Sequence, residues 1–247
     1  MDLFALPPLA ALLDTAYRGL LALSDLLLPF VGTAAAATAV LLVTLLVRGA
    51  LIPVGFSQAR AEQSRARLAP RLRELQRRHK KNPERLQRET LDLYRSEGAS
   101  PFAGLLPLLV QAAVVGLLYT LFLRPEIAGH PNALLTHDLF GAPLGTSLLT
   151  AATSGGLDLP TVLVWAGVLA VILTVAEVSR RVFLPVATDD GPLSSPTAIR
   201  LMSALHYLTA VFAIFVPLAA ALYLVVTVIW TLVQRILLRR RYPLPAA

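Results

Sequence analysis

Apolar residues in this chain fall in long blocks separated by short charged stretches. Residues 33–56, 102–123 and 160–184 form three such blocks. At about 1.5 Å rise per residue, each is long enough to cross the roughly 30 Å of bilayer hydrocarbon as a helix. A fourth block, 201–238, is too long for one ordinary span, and Pro217 sits near its middle. Proline removes a backbone donor and clashes with the preceding turn, so we divide the block into short helices 201–216 and 218–238. A single kinked helix is the alternative. The pattern predicts an all-α integral membrane protein with five transmembrane helices.

Residues 1–30 read differently. Leu9, Leu12, Leu13, Leu20, Leu23, Leu26 and Leu27 recur with roughly helical spacing, while Asp14, Arg18 and Asp25 interrupt them. That predicts an external interfacial amphipathic helix rather than a span. The start has no basic n-region, so a removable signal peptide is not expected. The five-span core then occupies 31–247 and includes residues 57–100, which read as a helical hairpin. Asn82 and Pro83 make an N-cap and first-turn pair, and Glu84 complements the helix dipole. Gly98 is a stop signal, and Ser100–Pro101 caps the next span. Leu68, Leu72 and Leu75 stripe one arm; Leu86, Thr90, Leu93 and Tyr94 stripe the other. Stripes that thin can pair two helices but leave little to bind a core, so we expect a mobile hairpin lying on an anionic leaflet.

Charge gives the direction. Residues 57–100 hold twelve Lys/Arg against six Asp/Glu, and the tail from Arg235 holds four arginines and no acid. Residues 1–30 and 124–158 each hold one basic residue against three acids. The positive-inside rule places the hairpin and the C-terminus in the cytoplasm and the N-terminus outside. Five spans satisfy this; four would put the basic tail outside.

Composition narrows the chemistry. The chain is 56% hydrophobic and 15% charged, too apolar for a soluble domain, and it has no cysteine. Disulfides, thiolate metal sites and a cysteine nucleophile are excluded. The spans offer no paired carboxylates, HExxH, GxSxG or Ser/Lys dyad, so no enzyme and no cofactor are expected. His130, His137 and Asp138 are too sparse to predict a metal site. Tyr119, Tyr223, Trp165 and Trp230 read as packing or belt aromatics, and His206 and Tyr207 as interfacial residues.

Several segments together resemble one family. "LYRSEGASPFAGLLPLLVQ", 93–111, is similar to the hairpin end and second span of the YidC/Oxa/Alb membrane protein insertases. "TLLVRGALIPV" resembles that family's arginine-bearing first core span, and "DLFGAPLG" its external loop. "FVPLAAALYLVVTVIWTLVQRILLRRR" resembles its closing proline turn and last helix. The resemblance runs from about residue 33 to 241. It departs at Ala112–Ala113, where the family often has Met-Pro, and at Leu218–Ala219–Ala220, where a small glycine-containing turn is usual. It departs again at Leu224 in place of a tryptophan, and in the short tail. These changes suggest a divergent paralogue.

The resemblance implies an insertase and chaperone for small membrane proteins in a bacterial cytoplasmic membrane. Implied partners are newly made membrane-protein clients and anionic phospholipid, with ribosome, targeting factors and the Sec translocon as further candidates. No nucleic-acid sequence recognition is implied. The candidate client-binding residues are Arg48, Thr44 and Gln111. Arg48 is eight residues from the inner end of its span, roughly 12 Å deep, and Gln111 is roughly 15 Å beyond Pro101. Thr44 lies one turn from Arg48 on the same face. Polar groups at similar depth on two spans suggest a wet cavity open to the cytoplasm, and matching family positions line such a groove. Two short final helices would thin the bilayer there. Glu177, at similar depth, is a possible charge partner for Arg48; Arg180 and Arg181, one turn from Glu177, compete for it. The alternative function is a channel or transporter using Arg48 as an anion site, although no inverted repeats or paired broken helices accompany it.

Overall fold

The computed structural model describes residues 7–80, 82–100, 105–127, 129–183 and 203–241. Pro101 of the expected cap, residues 102–104 and 184 of two expected spans, and 201–202 of a third lie outside them. The chain divides into two compact units, Met1–Gly49 with Val115–Leu232, and Ala50–Val114 with Val233–Ala247.

In the first unit, helix α1 (Pro7–Val31) covers most of the predicted amphipathic stretch. Its buried residues Leu13, Tyr17, Leu20 and Ser24 recur at steps of four, three and four, so one face meets the core. A 3₁₀ turn at Gly32–Ala34 leads into α2 (Ala35–Ala50). Small side chains recur in the core of this unit: Ala36, Ala39, Ala213, Ala219, Ala220 and Ala221 are all fully buried. Side chains this small let helix backbones approach closely, which matters where lipid tails remove most of the hydrophobic drive between helices. Around them pack Phe122 of α5 (Leu105–Leu123) and Trp165 and Ile172 of α7 (Leu159–Val182).

The break at Pro217 is present. Helix α8 (Leu208–Phe215) stops at Val216, whose ψ of 154° is the extended backbone a residue before proline adopts. Helix α9 then runs Leu218–Arg241, 24 residues, so the pair of short closing helices expected from the sequence reduces to one. A fresh helix start leaves N–H groups without intrahelical acceptors. The loop before α6 (Leu148–Ser154) supplies them: Leu218 donates to the Thr146 carbonyl at 3.1 Å and Ala219 to that of Leu144 at 3.0 Å.

That loop is itself tied down. The Asn132 amide donates to the carbonyls of Leu121 and Arg124 at 2.8 and 2.9 Å, closing the end of α5. The buried Tyr17 hydroxyl accepts from the Ala133 N–H at 2.7 Å. Two-residue strands β1 (Glu126–Ile127) and β2 (His130–Pro131) pair antiparallel, as do β3 (Asp138–Leu139) and β4 (Ala142–Pro143). The β3–β4 turn places Phe140 and Gly141 at φ of 51° and 89°, the left-handed pair a tight hairpin demands. Asp138 supports it by accepting from the Gly141 N–H at 2.9 Å.

Among the described residues, three helical stretches are long and apolar enough to cross a membrane: Ala10–Ala50, Leu159–Val182 and Leu218–Arg241. Leu108–Leu123 and Ser203–Phe215 are shorter apolar helices. Their outward faces carry exposed Leu46, Leu163, Phe212 and Phe215, a surface suited to lipid and not to water.

The second unit opens with a departure from the sequence reading. The 33–56 run is interrupted at Leu51, where α2 ends and α3 (Ile52–Arg78) begins. Pro53 explains it, because it cannot donate to the Gly49 carbonyl and suits a helix start instead. Helix α4 (Pro83–Ser96) comes next, with the Asn82 side chain accepting from the Arg85 N–H at 3.1 Å. Leu68 and Tyr94 are the buried centre of the hairpin, and the remaining stripe residues are half-buried. Ion pairs flank it: His79 with Glu89 at 2.7 Å, Arg85 with Glu89 at 2.9 Å, and Arg67 and Arg71 with Glu97.

The Arg85 hydrogen bond, aided by His79, holds the Glu89 carboxyl below the usual carboxylate range. A lowered folded value means the stabilisation is complete above the ordinary glutamate range and is lost as pH falls through the folded value. Hydrogen exchange at α4 amides, corrected for intrinsic rates, should therefore lose protection on acidification below the ordinary glutamate range. Glu89→Gln should remove most of that dependence.

A buried arginine as the candidate functional site

Arg48 lies in the last turn of α2, because the helix ends at Ala50 and not at residue 56. Its charge therefore sits near the negative end of the helix dipole, which favours a cation by about 0.3–1 kcal/mol at an exposed site and more when partly buried. The side chain is buried, with 7% of the residue exposed. One guanidinium nitrogen donates to the Thr227 hydroxyl on α9 at 3.1 Å. Among the described residues it has no carboxylate partner.

Thr44 is fully buried one turn back, and its hydroxyl donates to the Val40 carbonyl at 2.7 Å. It therefore presents no exposed wall in this conformation. On α9, Tyr223, Thr227 and Thr231 recur at four-residue steps, and the burial falls along them: buried, half-buried, exposed. The Tyr223 hydroxyl is buried without a hydrogen-bond partner among the described residues. Its ring packs against Phe122 and Tyr119 of α5, with centroids 5.9 and 6.4 Å away. Polar groups thus run from the exposed Thr231 inward to Thr227 and Tyr223, with Arg48 joined to the ladder at Thr227. Tyr223 reads from the sequence as a packing or belt aromatic, and Thr227 does not stand out there. The signal that would have found them is the four-residue polar period on α9, matching the Thr44–Arg48 period on α2.

Glu177 is engaged elsewhere. Its carboxylate accepts from Arg180 at 2.7 and 2.8 Å, from Arg181 at 2.5 Å, and from the Tyr207 hydroxyl. Tyr207 thereby ties the segment entering α8 to the end of α7. Gln111 belongs to the second unit, where its amide oxygen accepts from Gln58 of α3 at 3.0 Å. Gly55, one turn before Gln58, is buried against the Gln234 amide; a Cβ there would lie 1.7 Å from Nε2. The structure brings Arg48 and Thr44 together in one unit and gives Gln111 and Gln58 to the other.

Residues 27–245 match the 60Kd inner membrane protein family. The chain belongs to that family. The match bears out the resemblance carried by the hairpin, proline-turn and arginine segments, and it makes the chain an all-α membrane protein of YidC type. Among its relatives, a membrane protein insertase YidC of Clostridium perfringens is 39% identical over 83 residues, 34% of this chain and 35% of the relative. One from Streptomyces avermitilis is 25% identical over 218 residues, 82% of this chain and 51% of the relative. One from Helicobacter pylori is 35% identical over 123 residues, 49% of this chain and 22% of the relative. The chain thus spans about half or less of the length of these family members.

The Gln58–Gln111 bond generates a test. Gln58→Leu strands the Gln111 amide and should cost about 1–3 kcal/mol, whereas Gln58→Leu with Gln111→Leu together should recover most of it. Denaturant titration of the purified protein reads both. Equal losses in the single and double variants would show that water already satisfies the Gln111 amide.

Proposed function

We propose that the protein inserts small membrane proteins into the bilayer and helps them fold, with Arg48 as the charge that receives the client. The observation that carries this reading is a buried guanidinium bonded to a hydroxyl and left without a carboxylate among the described residues. A charge at bilayer depth costs several kcal/mol. An acid beside it would be the ordinary compensation. With none among the described residues, the positive field is available to a partner that comes and goes.

The chemistry is solvation. Drawing a short hydrophilic client segment into hydrocarbon strips water from its polar groups. A wet cavity reaching part-way through the membrane shortens the dry path, and a fixed positive charge lowers the cost for a segment bearing Asp or Glu. Thr227 holds the guanidinium in place, and the exposed-to-buried order of Thr231, Thr227 and Tyr223 offers the client's polar groups successive partners. Thr44 lies buried one turn behind Arg48, and Gln111 is a separate polar contact on α5. No bond is broken. The basic hairpin and tail then face the cytoplasm, five spans cross the membrane, and the hairpin meets the anionic leaflet and the machinery that delivers clients.

The test uses proteoliposomes and a one-span client with an acidic translocated tail. Arg48→Ala should lower the protease-protected fraction formed per unit time about tenfold, equivalent to roughly 1.4 kcal/mol of lost attraction. Arg48→Lys should keep most of the activity. Insertion by Arg48→Ala at the wild-type rate would remove the charge from the mechanism. Passage of small anions without client insertion would favour the channel reading instead.

A further inference from the structure

In the first unit an apolar groove of roughly 660 Å³ opens between α7 and α9. Leu163, Gly167 and Val171 line it at four-residue steps along one face of α7, Leu222 and Val225 line it from α9, and Phe140 joins them from the β3–β4 turn. Its lining is apolar throughout. Among the described residues no atom lies within 4 Å of where a Gly167 Cβ would stand, so the groove is open there. Phe140 is the unusual member. Its φ of 51° suits glycine, asparagine or aspartate, and 72% of the residue is exposed. A bulky ring in that conformation gives the turn nothing, but it walls the groove.

The dimensions select an occupant. The α7 lining runs from Leu159 to Val171, about 18 Å of helix, or just over half of the roughly 30 Å of bilayer hydrocarbon. Spread over that length, the volume leaves a channel roughly 6–7 Å wide, against about 10–12 Å for a helix with its side chains. A transmembrane partner would need a wider seat and a seam through both leaflets. An acyl chain of one leaflet needs neither.

The Leu159 end carries charge. Leu159 follows Asp158, the N-cap of α7, and Leu139 follows Asp138 in β3. The two turns meet, since a Cβ at Gly141 would lie 3.2 Å from that of Pro160. Each carboxylate accepts from one backbone N–H, Asp138 from Gly141 and Asp158 from Thr161. Hydrogen bonds from Thr161 hold the Asp158 carboxyl below the usual carboxylate range, which keeps it ionised at neutral pH. Among the described residues neither aspartate has a cation partner. Two carboxylates at the mouth of an apolar groove complement a lipid head whose positive charge donates hydrogen bonds, and repel a head that is only anionic.

We propose that this groove seats an acyl chain of a phospholipid with a primary-ammonium head, the ammonium meeting Asp138, Asp158 and the face of the Phe140 ring. The lipid fills a seam between α7 and α9 that the protein's own side chains leave open. The inference goes beyond client insertion and rests on the topology proposed with it for one point: residues 124–158 face outside, so the lipid belongs to the outer leaflet.

Native mass spectrometry of the full chain in detergent, titrated with phosphatidylethanolamine, phosphatidylcholine or phosphatidylglycerol, counts the lipids held. One phosphatidylethanolamine per chain should bind about fivefold more tightly than phosphatidylcholine. Gly167→Leu fills the groove and should weaken phosphatidylethanolamine by about fivefold or more, leaving phosphatidylglycerol on the basic hairpin unchanged. Gly19→Leu, the same change on an exposed face of α1, should cost less than about twofold. Asp138→Asn and Asp158→Asn keep an acceptor for their N–H groups and remove the charge; each should bring phosphatidylethanolamine down toward phosphatidylcholine. Wild-type affinity in Gly167→Leu, or an equal loss in Gly19→Leu, would overturn the proposal. Should Gly167→Leu unfold, the asparagine variants carry the test, and an unchanged lipid preference in both would overturn it. Equal binding of phosphatidylethanolamine and phosphatidylcholine by the wild type would overturn the head assignment. A two-chain species lost in Gly167→Leu would make the groove a seat for a second copy and overturn the lipid. Failure of the topology looks different. Ser154→Cys, the one thiol in a chain without cysteine, would then react with a membrane-impermeant maleimide only in inverted vesicles, with lipid binding in detergent unaffected.

Discussion

Inside hydrocarbon a polar group must find its partner within the protein, because no water is there to take it. Much of this fold is an answer to that constraint. At Pro217 a helix ends and another begins, and the orphaned N–H groups of Leu218 and Ala219 are met by the Thr146 and Leu144 carbonyls. At the end of α5, Asn132 reaches back to two carbonyls. In the second unit Gln58 and Gln111 satisfy one another. Glu177 is surrounded by Arg180, Arg181 and Tyr207. Against this background Arg48 stands apart. It is buried, charged and matched only to a neutral hydroxyl among the described residues.

The same constraint explains how the chain makes its proline turn without a glycine. Leu218, Ala219 and Ala220 are all fully buried as the first turn of α9. The bend itself is made by extended Val216 and by Pro217, and the loop carbonyls cap the start of α9. Glycine's freedom is needed instead at the β3–β4 turn, where Gly141 takes a φ of 89° and shares the strain with Phe140.

The long apolar runs, the Pro217 break and the Asn82 cap were legible in the sequence because each is a local signal with its own physical cause. Three features were not. The interruption at Leu51 depends on where Pro53 falls against the Gly49 carbonyl, and it moves Arg48 from mid-helix to a last turn. One-turn spacing already favours Arg180 and Arg181 as partners of Glu177 over Arg48, but the further contact from Tyr207, 30 residues away, is tertiary and was not legible. Thr227 and Tyr223 were hidden because threonine and tyrosine are common in apolar helices, and only a partner across the interface separates a site residue from filler. Periodicity shows which residues share a face; it does not show what faces them.

On this reading Arg48 is kept for what it does and not for what it stabilises. The most direct measurement is the unfolding free energy of Arg48→Met beside wild type, with insertion activity measured on the same preparation. An uncompensated buried charge replaced by an apolar side chain of similar length should leave stability unchanged or raise it by about 1–4 kcal/mol. Insertion of acidic-tailed clients should fall with the same substitution. A loss of about 3 kcal/mol or more in stability, with activity falling only as the folded fraction falls, would contradict the reading and make Arg48 a structural charge.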